Sequence, residues 1–247
     1  MQSLAAYQEM VKSAISTMNI PLAPSGLYDP VRYIITLGGK RIRPCLVLMA
    51  ASVAGGNPKD AIGAAMGIEL FHNFSLLHDD LMDDAPLRRG QATVHEKWNA
   101  DTAILSGDVM LVQAWQQVCN SPSEVLADVL KIFGKTAVEV CEGQQFDMDF
   151  ESRTDVKKSE YLEMIRLKTA VLLGCSLWIG ARIGGASTSE CDALYHFGME
   201  LGISFQLQDD LLDTYGDPKK FGKTTGGDII QDKKTFLLIN ALELAEG

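Results

Sequence analysis

Residues 71–84, FHNFSLLHDDLMDD, and residues 203–213, ISFQLQDDLLD, share one pattern: apolar side chains at helical spacing run directly into Asp-Asp-x-x-Asp. Apolar residues recurring every three to four positions mark the buried face of a helix. Each acid cluster is thus the wet end of a core helix. Asp79 and Asp83 lie four residues apart on one face of such a helix, as do Asp209 and Asp213, and like charges at that spacing repel. A single acidic run is most often a solvated helix face. Two runs of the same spacing, 130 residues apart, point instead to hard divalent cations, and oxygen donors suit magnesium.

Working outward, the chain has 247 residues, enough for one large core, and no linker divides it. A net charge of −10 disfavours nucleic acid and anionic membrane surfaces as partners. Five scattered cysteines form no Cys-x-x-Cys pair and are odd in number, which fits neither a zinc knuckle nor a disulfide framework and suggests a reducing cytoplasm. MQSLAAYQEMVKSAI lacks the basic start and apolar stretch of a secretory signal. The uncharged run 169–181 is too short to span a bilayer, so no stable membrane insertion is expected.

All eight prolines fall between apolar-periodic segments or at their starts, and none lies between 123 and 217, which reads as helical punctuation. The spacing predicts helices over 3–18, 29–37, 44–54, 59–84, 97–119, 123–150, 158–183, 189–215 and 227–245. No alternating strand pattern appears. Long helices joined by short turns imply an all-α, single-domain bundle of about ten helices whose sites are built from inward-pointing side chains.

Basic residues are few but placed suggestively. GGKRIRP at 38–44 packs three cations into four residues between two glycines and a proline that opens a helix. Backbone amides, a helix N-terminus and guanidinium forks are what a diphosphate requires. Arg88-Arg89-Gly90 follows the first cluster directly, Lys168-Thr169 sits within a long helix, and Lys223 and Lys234 follow the second cluster. Each alone reads equally as an ordinary surface cation.

Taken in order, GGKRIRP, LLHDDLMDDAPLRRG, EGQQFDMD, Lys168-Thr169, FQLQDDLLD and GKTTGGDIIQDKKT resemble the trans-isoprenyl diphosphate synthases, or polyprenyl synthetases. The resemblance covers residues 38 to 235 and is specific. It implies an isoprenoid synthase fold around a deep central cavity, usually dimeric, that condenses isopentenyl diphosphate with an allylic diphosphate. It implies further that Asp79, Asp83 and Asp209 are ligands of a three-magnesium cluster on the allylic diphosphate. Asp80 and Asp213 support that cluster directly or through water, and Arg88 holds the same diphosphate. Lys40, Arg43, His72 and Arg89 resemble the isopentenyl diphosphate pocket. Lys168, Lys223 and Lys234, with Lys233 as a neighbour, resemble the lysines that close over the allylic diphosphate. Thr169 and Gln206 match groups near the developing carbocation, and Gln144 with Asp147 matches a Gly-Gln-x-x-Asp element.

In this family, bulk one turn below the first cluster sets the tunnel floor, so Phe74 beside the small Ser75 suggests a short farnesyl or geranylgeranyl product. The resemblance also implies C-terminal helices that residues 1–247 do not contain. A terpene cyclase would mix Asn, Ser or Thr with Glu in its second motif, and here that motif is purely aspartate. A non-catalytic partner subunit would typically have lost an aspartate cluster. A di-iron bundle would need a second Glu-x-x-His unit beside Glu69-x-x-His72, and His78, His95 and His196 have no Glu three residues before them.

Overall fold

The computed structural model describes residues 2–216, 226, 229 and 233–245. The all-α expectation holds. Helices α1 (Leu4–Ser16), α2 (Ser25–Thr36), α3 (Ile42–Val53) and α4 (Ile62–Met82) are followed by α5 (Val94–Lys97) and α6 (Ala100–Val118). Then come α7 (Leu126–Glu151), α8 (Lys158–Ile165), α9 (Val171–Ile183), α10 (Thr188–Tyr215) and α11 (Phe236–Ala245).

Of the helix expected over 227–245, residues 233–235 lie outside any helix and α11 begins only at Phe236, and three further local features differ from the sequence expectation. Pro30 lies inside α2, because that helix begins at Ser25 rather than near 29. The hydrogen bond it forfeits would have gone to the carbonyl of Gly26, an exposed residue in the first turn, where water substitutes. A two-stranded antiparallel hairpin, β1 (Leu87–Arg88) and β2 (Gln91–Ala92), pairs Leu87 with Ala92 and Arg88 with Gln91. Strands of two residues are too short to show alternation. Between α8 and α9, residues Arg166–Ala170 form a π-helical turn, a feature frequent at functional sites. The whole stretch Lys158–Ile183 is long and apolar enough to cross a bilayer, yet 83% of its most apolar window is buried within the fold, as in a core helix.

Residues 1–132 and 176–192 form one compact unit, and residues 133–175 and 193–247 another. In the first, α4 and α6 make the most extensive helix pair. Tyr7, Val11, Val31, Leu48, Ile68, Leu70, Phe71 and Met110 are fully buried there. The α4–α6 seam depends on a small residue: a Cβ on Gly107 would lie 2.1 Å from the His78 ring. In the second unit, Phe150, Val156, Tyr161, Met164, Ile165 and Ile239 form a cluster, with Ile203, Leu207 and Phe236 packed against it. Burying an aliphatic or aromatic side chain of this kind contributes about 1.5–3 kcal/mol.

Candidate active site

Both acid clusters lie at the C-terminal ends of their helices. Asp79 and Asp80 occupy the last turn of α4 and Asp83 caps it, while Asp209 and Asp213 sit in the final two turns of α10. A helix C-terminus carries partial negative charge and favours cations, yet neither helix has a basic residue in its last turn. Such a carboxylate set is electrostatically costly without positive charge brought from elsewhere.

Within each cluster the three acids are not equivalent. Asp80 is buried, and Arg88 Nε donates to its two oxygens at 2.7 and 2.9 Å while Nη2 adds a further bond. Burial raises the Asp80 carboxyl above the usual carboxylate range, and the Arg88 fork opposes that rise. Asp210 is likewise buried, accepting from the Tyr161 hydroxyl and from Gln206 Nε2 at 3.1 Å. Burial raises its carboxyl too, against those two hydrogen bonds and one from the Phe236 backbone. Asp79, Asp83, Asp209 and Asp213 are only partly buried, and Asp79 lies 3.6 Å from Arg88. Oxygen donors on one helix face, with the intervening acid already held by protein groups, suit magnesium in their chemistry.

Asp80, expected beside the metal, is thus turned to Arg88. Tyr161 was not singled out from the sequence, and Asp210 entered only as a member of the second cluster, with no role of its own. A signal for both acids existed: Asp80 is in phase with the buried Leu70, Asn73 and Leu77, and Asp210 with the buried Met199 and Gly202.

Around the start of α3 the first unit gathers four guanidiniums. Gly38 and Gly39, at φ 83° and 126°, allow the turn from α2 that L side chains resist. Arg89 donates to the Gly38 carbonyl, and its guanidinium lies where a Cβ on Gly39 would need to be, 2.8 Å away. Arg43 Nη1 stands 3.4 Å from His72 Nε2. Burial, and then Arg43, Arg89, Arg88 and Arg41, hold the His72 imidazole well below the usual histidine range, so it is neutral. Burial lowers the Arg43 guanidinium to about 10, against the attraction of Glu69. The buried Arg43 Nε–H has no partner among the described residues, an open donor beside a concentration of positive charge. Lys40 is exposed.

In the second unit the π turn carries Lys168 and Thr169. Lys168 Nζ pairs with Asp147 at 2.6 Å. The approach that permits it needs a glycine: a Cβ on Gly143 would lie 2.2 Å from the Lys168 backbone nitrogen. Thr169 Oγ1 donates to Gln206 Oε1 at 3.4 Å, so Thr169, Gln206, Asp210 and Tyr161 form one hydrogen-bonded chain. Gln144 and Lys234 are partly buried, and Lys223 lies outside the described residues.

Below the first cluster, Phe74 packs between Phe71 and His78, with ring centroids 5.6 and 4.8 Å away. Ser75 donates to the His72 carbonyl at 2.9 Å. One further acid group emerges only in three dimensions: ligand atoms of Asp84, His95 and Glu96 lie within 4.8 Å of one another, with Asp84 almost fully exposed.

The sequence profile of the family described as Polyprenyl synthetase matches residues 24–247. The chain is 43% identical over 246 residues to a short chain isoprenyl diphosphate synthase of Methanothermobacter thermautotrophicus, covering 99% of this chain and 76% of that one. It is 43% identical over 236 residues to a geranylgeranyl diphosphate synthase of Methanosarcina mazei, covering 94% and 72%. A crystal structure of a geranylgeranyl pyrophosphate synthase superposes with a TM-score of 0.93 at 49% identity, covering all of this chain and 75% of that one.

Proposed function

Because the chain belongs to the polyprenyl synthetase family, we propose that it is a magnesium-dependent prenyltransferase. It joins isopentenyl diphosphate head to tail with an allylic diphosphate (dimethylallyl, geranyl or farnesyl) and releases pyrophosphate and a short all-trans prenyl diphosphate, farnesyl or geranylgeranyl. The observation that supports this most directly is that two Asp-Asp-x-x-Asp sets each place partly buried carboxylates at the C-terminal end of a helix with no basic residue in its own last turn, an arrangement that bound cations would stabilise. Asp79, Asp83, Asp209 and Asp213 would hold magnesium, three ions with substrate bound, supplying Lewis-acid neutralisation of the departing diphosphate.

The residues divide the remaining work. Arg88 fixes Asp80 with Nε and Nη2 and offers Nη1 to the allylic diphosphate. Lys168, held by Asp147, closes over the same group with Lys223 and Lys234, and Gln144 belongs to the same element as Asp147. The allylic carbon–oxygen bond breaks with its electron pair going to the diphosphate, so fixed cations around those oxygens lower the barrier. Thr169 and Gln206 direct oxygens toward the allylic cation. Lys40, Arg43 and Arg89, with neutral His72, hold isopentenyl diphosphate, whose double bond attacks the cation. A proton is then lost, with the departed pyrophosphate as acceptor. Water is excluded by the apolar surroundings, and Phe74 with Ser75 limits chain growth.

We read residues 1–247 as one isoprenoid synthase domain acting in the cytoplasm as a homodimer. Ile104, Leu105 and Val112 form an exposed apolar face of α6 that a second copy would cover.

Incubation with isopentenyl diphosphate, separate allylic primers and magnesium, followed by measurement of product chain length, tests the whole proposal. A fifteen- or twenty-carbon all-trans diphosphate is expected. Binding of metal and diphosphate without turnover until a second protein is added would replace it with a partner-subunit role.

A further inference from the structure

The loop that opens α3 sends its cations in two directions. Lys40 is exposed and Arg43 faces His72, but Arg41 turns inward. Its Nη1 donates to the Glu69 carboxylate and its Nη2 to the carbonyl of Ile35, near the end of α2. Glu69 is 3% exposed and sits on α4, three residues before His72. Asn73 Nδ2 donates to the same Glu69 oxygen at 2.7 Å. Arg41 holds φ 50°, a left-handed conformation that L side chains avoid and that these buried bonds hold in place. The Glu69–Arg41 pair therefore ties α4 to the 38–43 loop through the carboxylate and that loop to α2 through the guanidinium, beneath the cluster of cations.

We propose that Glu69 and Arg41 are the positioning pair of the isopentenyl diphosphate pocket, an inference that rests on the reading above. The pair does not touch substrate. It fixes the left-handed turn at Arg41, which in turn aims Lys40 and Arg43 and seats Arg89 on Gly38 and Gly39. The pocket is thus assembled before its ligand arrives, and the ordering cost of bringing several cations together is met during folding.

The sign of the effect separates this role from simple charge balance. Glu69→Gln removes a negative charge beside an anion site, so the field alone would tighten binding of isopentenyl diphosphate. Positioning predicts the opposite: its KM rises about tenfold or more, while the KM for the allylic diphosphate stays within about twofold and kcat at saturation is largely kept. Arg41→Lys keeps the charge but loses the fork and should give the same split, and the double variant should be no worse than the poorer single variant. If Glu69→Gln fails to fold, as read by thermal unfolding, Arg41→Lys alone decides. An unchanged or lowered KM for isopentenyl diphosphate, or an equal rise in both KM values, overturns the proposal while leaving the prenyltransferase reading intact. A parent chain that forms no product with any primer overturns that reading itself.

Discussion

Asp80 and Arg88 are locked together: the acid is 2% exposed, and the guanidinium eight residues further on closes over both its oxygens. The chain turns just after α4, where the Ala85 amide donates to the Asp80 carbonyl at 2.9 Å, and so brings Arg88 on β1 to this contact. The central aspartate of the first cluster is thereby held by the protein itself.

Removing the partner should therefore strand a buried carboxylate. Arg88→Ala is expected to cost about 2–4 kcal/mol of stability, since breaking a buried pair leaves one charge uncompensated. Denaturant unfolding of the variant and the parent measures it. A midpoint unchanged at constant slope would show that the pair is not structural.

Replacing Asp79 or Asp209 by Ala should instead change stability by less than about 1 kcal/mol, because relief of repulsion at a helix C-terminus offsets the loss of partly exposed charge pairing such as Asp79 with Arg88. Turnover should fall by several kcal/mol of transition-state stabilisation, each ~1.4 kcal/mol being a factor of ten in rate. Steady-state kinetics in excess magnesium checks this, and a variant within about threefold of the parent contradicts the metal role.

Phe74→Ala should lengthen the product by at least one five-carbon unit, since it opens the space between Phe71 and His78. It should also cost about 3 kcal/mol of stability, as expected for truncating a buried phenylalanine. Chromatography of the dephosphorylated products reads the first effect. An unchanged length removes Phe74 from chain-length control.

The neutral His72 sets an acid-side liability. Its folded pKa lies well below 6.5, so below about pH 6.5 the unfolded chain takes up a proton that the folded chain refuses. Stability is then lost as pH falls through that window. His72→Gln should lose less stability than the parent between pH 7 and pH 5, compared by denaturant midpoints at both pH values. Equal losses would mean that the imidazole titrates normally in the fold.

Much of this architecture was legible because long helices write their period into the chain. The segments expected over 158–183 and 189–215 became α8 through α9 and α10 with little change at their ends. What escaped lacks a periodic signature. The π turn at Arg166–Ala170 adds one residue to a turn without disturbing the apolar run. The β1–β2 hairpin has two-residue strands, and α2 accommodates Pro30 because the affected carbonyl faces solvent.

The sequence by itself determined the helical class, the two aspartate clusters and the basic residues around Gly38-Gly39, since these depend on spacing and side-chain chemistry along one strand of text. Only the tertiary structure decided how those charges are shared out: Asp80 to Arg88, Asp210 to Tyr161 and Gln206, Lys168 to Asp147, and Arg41 to Glu69. The reason is physical. A carboxylate's role is set by its burial and by the donors within about 3 Å of it, and those donors come from residues 4 to 49 positions away.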